Sequence, residues 1–105
     1  DMLNLKRVDT SEEYAGYASK DNPENIEFYV TKPANGDPAT FGNGTQVSFL
    51  TDSREKVEKF HKIGIDIGGK DEGRPGIRPA GGDVYYAYVR DLDGNKICAY
   101  TNSQT

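Results

Sequence analysis

The side chains with chemistry to offer are spaced by twos in this chain. Tyr86 and Tyr88 alternate with Ala87 and Val89, Cys98 and Tyr100 with Ile97 and Ala99, and Gln46 and Ser48 with Val47 and Phe49. Successive strand residues point to opposite faces, so each run sets its phenolic or polar members on one side of a sheet and its apolar members on the other. If Arg90 pairs with Lys96 across the Asp93-Gly94 turn, Tyr88 faces Cys98 and Tyr86 faces Tyr100. Residues 25–31 divide in the same way, Glu27, Tyr29 and Thr31 against Ile26, Phe28 and Val30. Phenols, an amide, a hydroxyl and a thiol gathered on one curved wall suit a small semi-polar molecule, so the expected site is a cupped sheet enclosing a cavity. A sheet with one wet face explains the division without a ligand. A solvated face, however, normally carries Lys and Glu, and this one carries Tyr29, Gln46, Tyr86, Tyr88, Cys98 and Tyr100.

Other reactive groups read as less chemical. His61 is the single histidine and sits beside Phe60 in a helical segment outside the sheet, which gives it a surface or packing role. Cys98 has no His or Lys expected on its face to hold a thiolate, so it reads as a small pocket-lining residue. Arg74 and Arg78 lie in a Gly/Pro-rich stretch where Gly73 and Gly76 permit close backbone approach. Either could clamp a carboxylate or phosphate, and Arg78 could equally tie its loop to an acidic residue.

The elements that position these groups follow from local signals. Asp52-Ser53-Arg54-Glu55 reads as a helix start, with Asp52 capping and Glu55 reaching back. Val57, Phe60 and Ile63 give an apolar stripe and Gly64 a left-handed stop, which predicts a helix over 53–63. Residues 46–50 read as a strand before it and 65–67 as a minor strand after it, with a loop from Gly68 to Gly82. Strands over 84–90 and 96–101 follow, joined by the Asp-Gly hairpin signal. The second half thus reads β-α-β-β-β. The first half reads as three strands near 5–8, 13–18 and 25–31, then a Pro/Gly-rich linker over 32–44.

Composition bounds the rest. A chain of 105 residues fits one domain, and 34% apolar residues with 12 Gly and 7 Tyr suit a thin sheet-rich protein, part of whose core a second copy would cover. The net charge of −4 and the lack of a basic run argue against nucleic acid and anionic membrane as partners. The lone Cys98 excludes an intrachain disulfide and a Cys-only zinc cluster. No apolar stretch is long enough for a signal peptide or span, so the expected location is the cytoplasm.

The ordered run Phe60-His61, Gly68-Gly69, Asp71-Glu72-Gly73-Arg74-Pro75-Gly76-Ile77-Arg78-Pro79, Tyr85-Tyr86-Ala87-Tyr88-Val89-Arg90-Asp91 and Asp93-Gly94-Asn95-Lys96-Ile97 resembles the C-terminal module of the vicinal-oxygen-chelate superfamily. This superfamily holds the glyoxalases, bleomycin-resistance proteins and related dioxygenases. The resemblance covers most of residues 45–103, and within the superfamily it is to small bacterial glyoxalase-related proteins with a Gly-Gly … Pro-Gly-X-Arg-Pro loop. Residues 3–8 are similar to the helix end and second strand of the N-terminal module.

It implies an α+β fold of paired βαβββ modules forming a cupped mixed sheet in a single domain of residues 1–105. Residues 1–31 would be an N-terminal module lacking its first strand and most of its first helix, 32–44 the linker and 45–105 the C-terminal module. The opening strand would then be trimmed away, left undescribed or contributed by a partner chain. A homodimer is implied too. Such proteins hold a divalent metal on four inward side chains, mostly His and Glu. Here the second position falls near Glu27 or Tyr29, the third on Gln46 and the fourth on Cys98. An enediolate mechanism needs a Lewis acid and a nearby carboxylate, and Gln with Cys makes a poor site for nickel or manganese. Zinc could use Cys98 and Glu27, and nickel, manganese or iron are the other divalent metals that the resemblance leaves open. The resemblance implies a small-molecule-binding protein with a degenerate metal site, its ligand held by Tyr29, Gln46, Ser48, Arg74, Arg78, Tyr86, Tyr88, Cys98 and Tyr100. The alternative is a metal-dependent lyase of the lactoylglutathione type, an isomerase or a dioxygenase, with Glu27 as the metal ligand.

Overall fold

The computed structural model describes residues 3–105, which fall into two compact units divided between Ala39 and Thr40. The first unit is an antiparallel sheet of β1 (Leu5–Thr10), β2 (Tyr14–Ser19) and β3 (Ile26–Thr31), paired in sequence order. Ala18 is fully buried in it. The regular alternation expected for residues 25–31 is broken by a bulge. Tyr17 pairs with Phe28 but Ala18 pairs with Ile26, which leaves Glu27 without a register partner. An extra residue on one strand shifts every side chain beyond it by one position. Ile26 and Tyr29 consequently both lie over Gly16, where an added Cβ would come within 3.3 Å and 2.9 Å of them. The division that set Ile26 opposite Tyr29 is therefore corrected, and period-two patterning could not have shown it.

The second unit runs β4 (Gln46–Leu50), α1 (Arg54–Asp66), β5 (Lys70–Ile77), β6 (Tyr85–Arg90) and β7 (Lys96–Thr101). Its sheet has the order β4-β7-β6-β5, with β4 parallel to β7 and the other pairs antiparallel. The β6–β7 register is the one expected, with Arg90 on Lys96, Tyr88 on Cys98 and Tyr86 on Tyr100. Asp91 organises the turn between them, its carboxylate accepting from the backbone N–H groups of Asp93 and Asn95.

Three local expectations are revised. The helix cap is Ser53, whose hydroxyl accepts from Lys56 N, while Asp52 forms an ion pair with Lys56 and Glu55 one with Lys59. The helix does not stop at Gly64, and it absorbs most of the minor strand expected at 65–67. It ends after Asp66, where Ile67 N–H bonds to Ile63 and Gly68 takes the left-handed φ of 107°. Gly64 serves packing instead, since its missing Cβ lets Val89 approach to 3.1 Å of where that atom would be. The supposed loop from Gly68 to Gly82 contains β5. That strand tolerates Gly and Pro because it is an edge strand with two register breaks, one of which carries Pro75.

α1 packs on β5, β6 and β7. The core between them consists of Val57, Ala87 and Ala99, all fully buried, with Val89 at 4% exposure. The covered helix stripe follows a 3.6-residue period from buried Val57 through half-buried Phe60, His61 and Gly64, and leaves Ile63 at 48% exposure. Tyr85 meets the helix as its strand position requires: its hydroxyl donates to Glu58 at 2.8 Å and its ring carries the Arg54 guanidinium at 4.9 Å.

Candidate functional site

The face of the second sheet turned away from α1 is built by alternation alone. Pairing of β4, β7 and β6 in register sets Ser48, Cys98 and Tyr88 in one row and Tyr100 and Tyr86 in the next. The tyrosines then stack. Tyr86 lies 5.9 Å from Tyr88 with their planes 8° apart, and 5.5 Å from Tyr100 at 21°. Gln46 extends the face at its edge, its amide donating to Ser48 Oγ at 2.9 Å. The structure thus brings Gln46, Ser48, Tyr86, Tyr88, Cys98 and Tyr100 onto one surface.

Cys98 is fully buried in the floor of that face. Burial pushes its thiol above the ordinary range, although hydrogen bonds from Ser48 and Tyr88 and the charges of Arg78 and Lys96 pull the other way. Two cations therefore stand near the sulfur, contrary to the expectation that no lysine shares its face. Desolvation still wins, and the group is a thiol at neutral pH. Tyr88 is raised as well, first by burial and then by Cys98 and Tyr86.

Lys96 is the residue that the sequence reading passed over. Its ammonium sits 4.9 Å from the Tyr88 ring centroid, and the Arg78 guanidinium sits 5.3 Å from the same centroid. The signal was present, since Lys96 begins the same alternate series as Cys98 and Tyr100. Gly73 makes room for this group: a Cβ there would fall 2.8 Å from the Tyr88 ring and 3.2 Å from Arg78 Nη2.

The two arginines have separate fates. Arg78 spends its guanidinium on backbone carbonyls, donating to Arg74 at 2.6 Å, Tyr86 at 2.9 Å and Gly76 at 3.4 Å. It ties its own loop as one reading had it, but through carbonyls and, among the described residues, with no acidic partner. Arg74 lends its carbonyl to Arg78, and its own charge acts on Asp71. Asp71 in turn bonds His61 Nε2 at 2.9 Å, which locks α1 to β5 and gives His61 the packing role expected of it.

The other two candidates belong to the first unit. Tyr29 is 51% exposed, with its ring 5.5 Å from Tyr14 in an edge-on contact. Glu27 is exposed at the β3 bulge.

Among the described residues no group of three or more His, Cys, Asp or Glu side chains could hold a metal ion. The donor chemistry on the tyrosine face is also a poor match for the metal that the fold implies. Gln46 directs its amide N–H to Ser48, Cys98 holds its proton, and Arg78 and Lys96 place positive charge beside the sulfur. No step is therefore routed through a metal here.

Comparison with solved structures follows this geometry. A glyoxalase/bleomycin resistance protein from Albidiferax ferrireducens T118 superposes with a TM-score of 0.79 at 40% identity, over 95% of this chain and 78% of that one. A glyoxalase-related enzyme from Fulvimarina pelagi gives 0.61 at 16% identity, over 92% and 70% of the two chains. A glyoxalase/bleomycin resistance protein/dioxygenase family enzyme from Burkholderia phytofirmans PsJN gives 0.61 at 12%, over 94% and 80%. These last two bear on the fold alone. No family model matches the sequence, and no curated protein does. The fold, which among the described residues comprises an antiparallel three-stranded sheet, a mixed four-stranded sheet and one helix, is the vicinal-oxygen-chelate fold. The chain belongs to the glyoxalase/bleomycin resistance protein family.

Proposed function

We propose that this protein binds a small organic molecule on the tyrosine face of its second unit and does no metal chemistry there. One observation carries the reading: Tyr86, Tyr88 and Tyr100 stack into a continuous aromatic surface, edged by the Gln46 amide and the Ser48 hydroxyl. Offset rings with polar groups at the margin offer apolar contact area and a few orienting hydrogen bonds, which is what a binding surface for small molecules requires. Family membership supports the same class of function, and the donor set around Cys98 argues against a Lewis-acid centre on this face.

The test is direct. Protein purified without chelator is assayed for bound nickel, zinc, manganese and iron, then for turnover of methylglyoxal with glutathione, and screened by NMR against a small-molecule library. Hits that shift the Tyr86, Tyr88 and Tyr100 ring resonances, and lose that effect in Tyr86→Ala, support the reading. Stoichiometric metal accompanied by turnover replaces it with the lyase alternative. The homodimer and the cytoplasmic location remain part of this proposal. Of the described residues, no helix is long and apolar enough to cross a membrane, and sedimentation would report the assembly state.

A further inference from the structure

We infer that the ligand of the tyrosine face is an anion, specifically a flat aromatic ring bearing a carboxylate; this rests on the binding reading above and adds the charge of the ligand to it. Arg78 and Lys96 both lie within 5.3 Å of one ring centroid, that of Tyr88. Among the described residues neither forms an ion pair with a carboxylate, whereas Arg90, at the end of the same face, is paired with Glu72. Two like charges held against one half-buried ring repel each other, and a bound anion relieves that repulsion.

The character of the anion follows from its surroundings. The backbone N–H groups of β6 and β7 are used in the sheet ladder, so the face offers no cradle of free N–H donors of the kind that seats a phosphate. What it offers are one ammonium, the remaining donor capacity of a guanidinium already fixed by three carbonyls, and stacked rings beside them. Arg78 is thus a preorganised positive charge, and Lys96 is the free donor that reaches the ligand. A carboxylate accepts from Lys96 while its attached ring lies against Tyr86 and Tyr100.

The experiment titrates the full chain with three probes of one shape, 2-naphthoate, 2-naphthalenemethanol and 2-naphthylmethylammonium, followed by the aromatic NMR resonances of the face. The expected result is that naphthoate binds at least about tenfold more tightly than the neutral alcohol, the worth of one charge-assisted hydrogen bond. Binding should weaken with added salt. Lys96→Gln should lose about the same factor and Lys96→Arg should keep it. Lys96 is half-buried and its ammonium makes no hydrogen bond among the described residues, so the substitution is expected to leave the fold intact, which the NMR spectrum reports directly. Equal binding of acid and alcohol with the tyrosine resonances shifting overturns the anion inference and leaves the binding reading standing. Preference for the ammonium probe, or no shift with any of the three, also overturns it. In the last case the library screen decides the broader reading separately.

Discussion

The two faces of the four-stranded sheet share β6 and β7 residue by residue, yet they are built on opposite rules. Toward α1 the strands present Ala87, Val89, Ala99 and Thr101, small groups that the helix covers almost completely. Away from it the same strands present Tyr86, Tyr88 and Tyr100, large groups that remain half-buried and stack on one another. Small residues let a helix come close and bury area efficiently, whereas large aromatic residues left partly open retain area for something else to cover. On the proposed binding reading, the helix face carries stability and the tyrosine face carries recognition. Substitutions can be sorted by which of the two they disturb.

The largest effect is expected from Val57→Ala. Val57 is fully buried at the centre of the helix face, and removing its two methyl groups leaves a void the close-packed alanines cannot fill. The expected cost is about 2 to 3 kcal/mol, read as a fall of roughly 10 °C or more in melting temperature. Tyr86→Phe on the other face should change stability by less than about 0.5 kcal/mol, since only an exposed-side hydroxyl is lost. If thermal melts show the two substitutions costing the same, the division of labour between the faces is wrong.

Cys98 tests where the division blurs, because it lies on the tyrosine face yet is fully buried. Cys98→Ala should cost about 1 kcal/mol, between the two extremes, since it removes one sulfur from a packed floor. The thiol also sets a pH dependence. Its folded-state pKa is raised by burial, so below about pH 8.5, where an unfolded cysteine holds its proton, its contribution to stability is fully present. That contribution is lost as pH rises beyond this point, and Cys98→Ala should flatten the alkaline limb in urea titrations. Alkylation by iodoacetamide at pH 8 should be slow in the folded protein and fast in urea; rapid labelling of the native state would show the sulfur to be open or ionised.

Much of this face could be read from alternation. Tyr86, Tyr88, Cys98 and Tyr100 fall where a two-residue period and one well-marked Asp-Gly turn place them, because a short hairpin leaves few registers to choose from. Edge and bulge features were the ones that escaped. Glu27 lost its alternation to an inserted position in β3, and β5 was hidden by Gly73, Pro75 and Gly76, residues that mark loops except on an irregular edge strand. The helix end lies beyond the position that Gly64 suggests, because the missing Cβ of Gly64 serves contact with Val89 and not a stop. The partners of Arg78 escaped for a different reason. Its three carbonyl partners come together only when the loop closes on itself, and no local pattern announces a guanidinium that binds backbone.

The smallest effect belongs to the contact that joins the helix to the outer strand. Asp71 bonds His61 Nε2 at 2.9 Å and accepts from Gly73 N at 2.9 Å, and these hydrogen bonds, His61 first, hold its carboxyl below the ordinary range. An unfolded aspartate takes up its proton near pH 3.9. The folded Asp71 remains charged to a lower pH, so its contribution to stability is present above that value and disappears as acid protonates it in the folded state. Because Asp71 is exposed, solvent screens the interaction and the effect is modest. Asp71→Asn should leave the melting temperature at pH 7 nearly unchanged, since the amide can still bond His61, while making the decline between pH 4 and pH 3 shallower. A wild-type acid limb that is indistinguishable from that of Asp71→Asn would show that the charge of Asp71 adds nothing to holding the helix on the sheet.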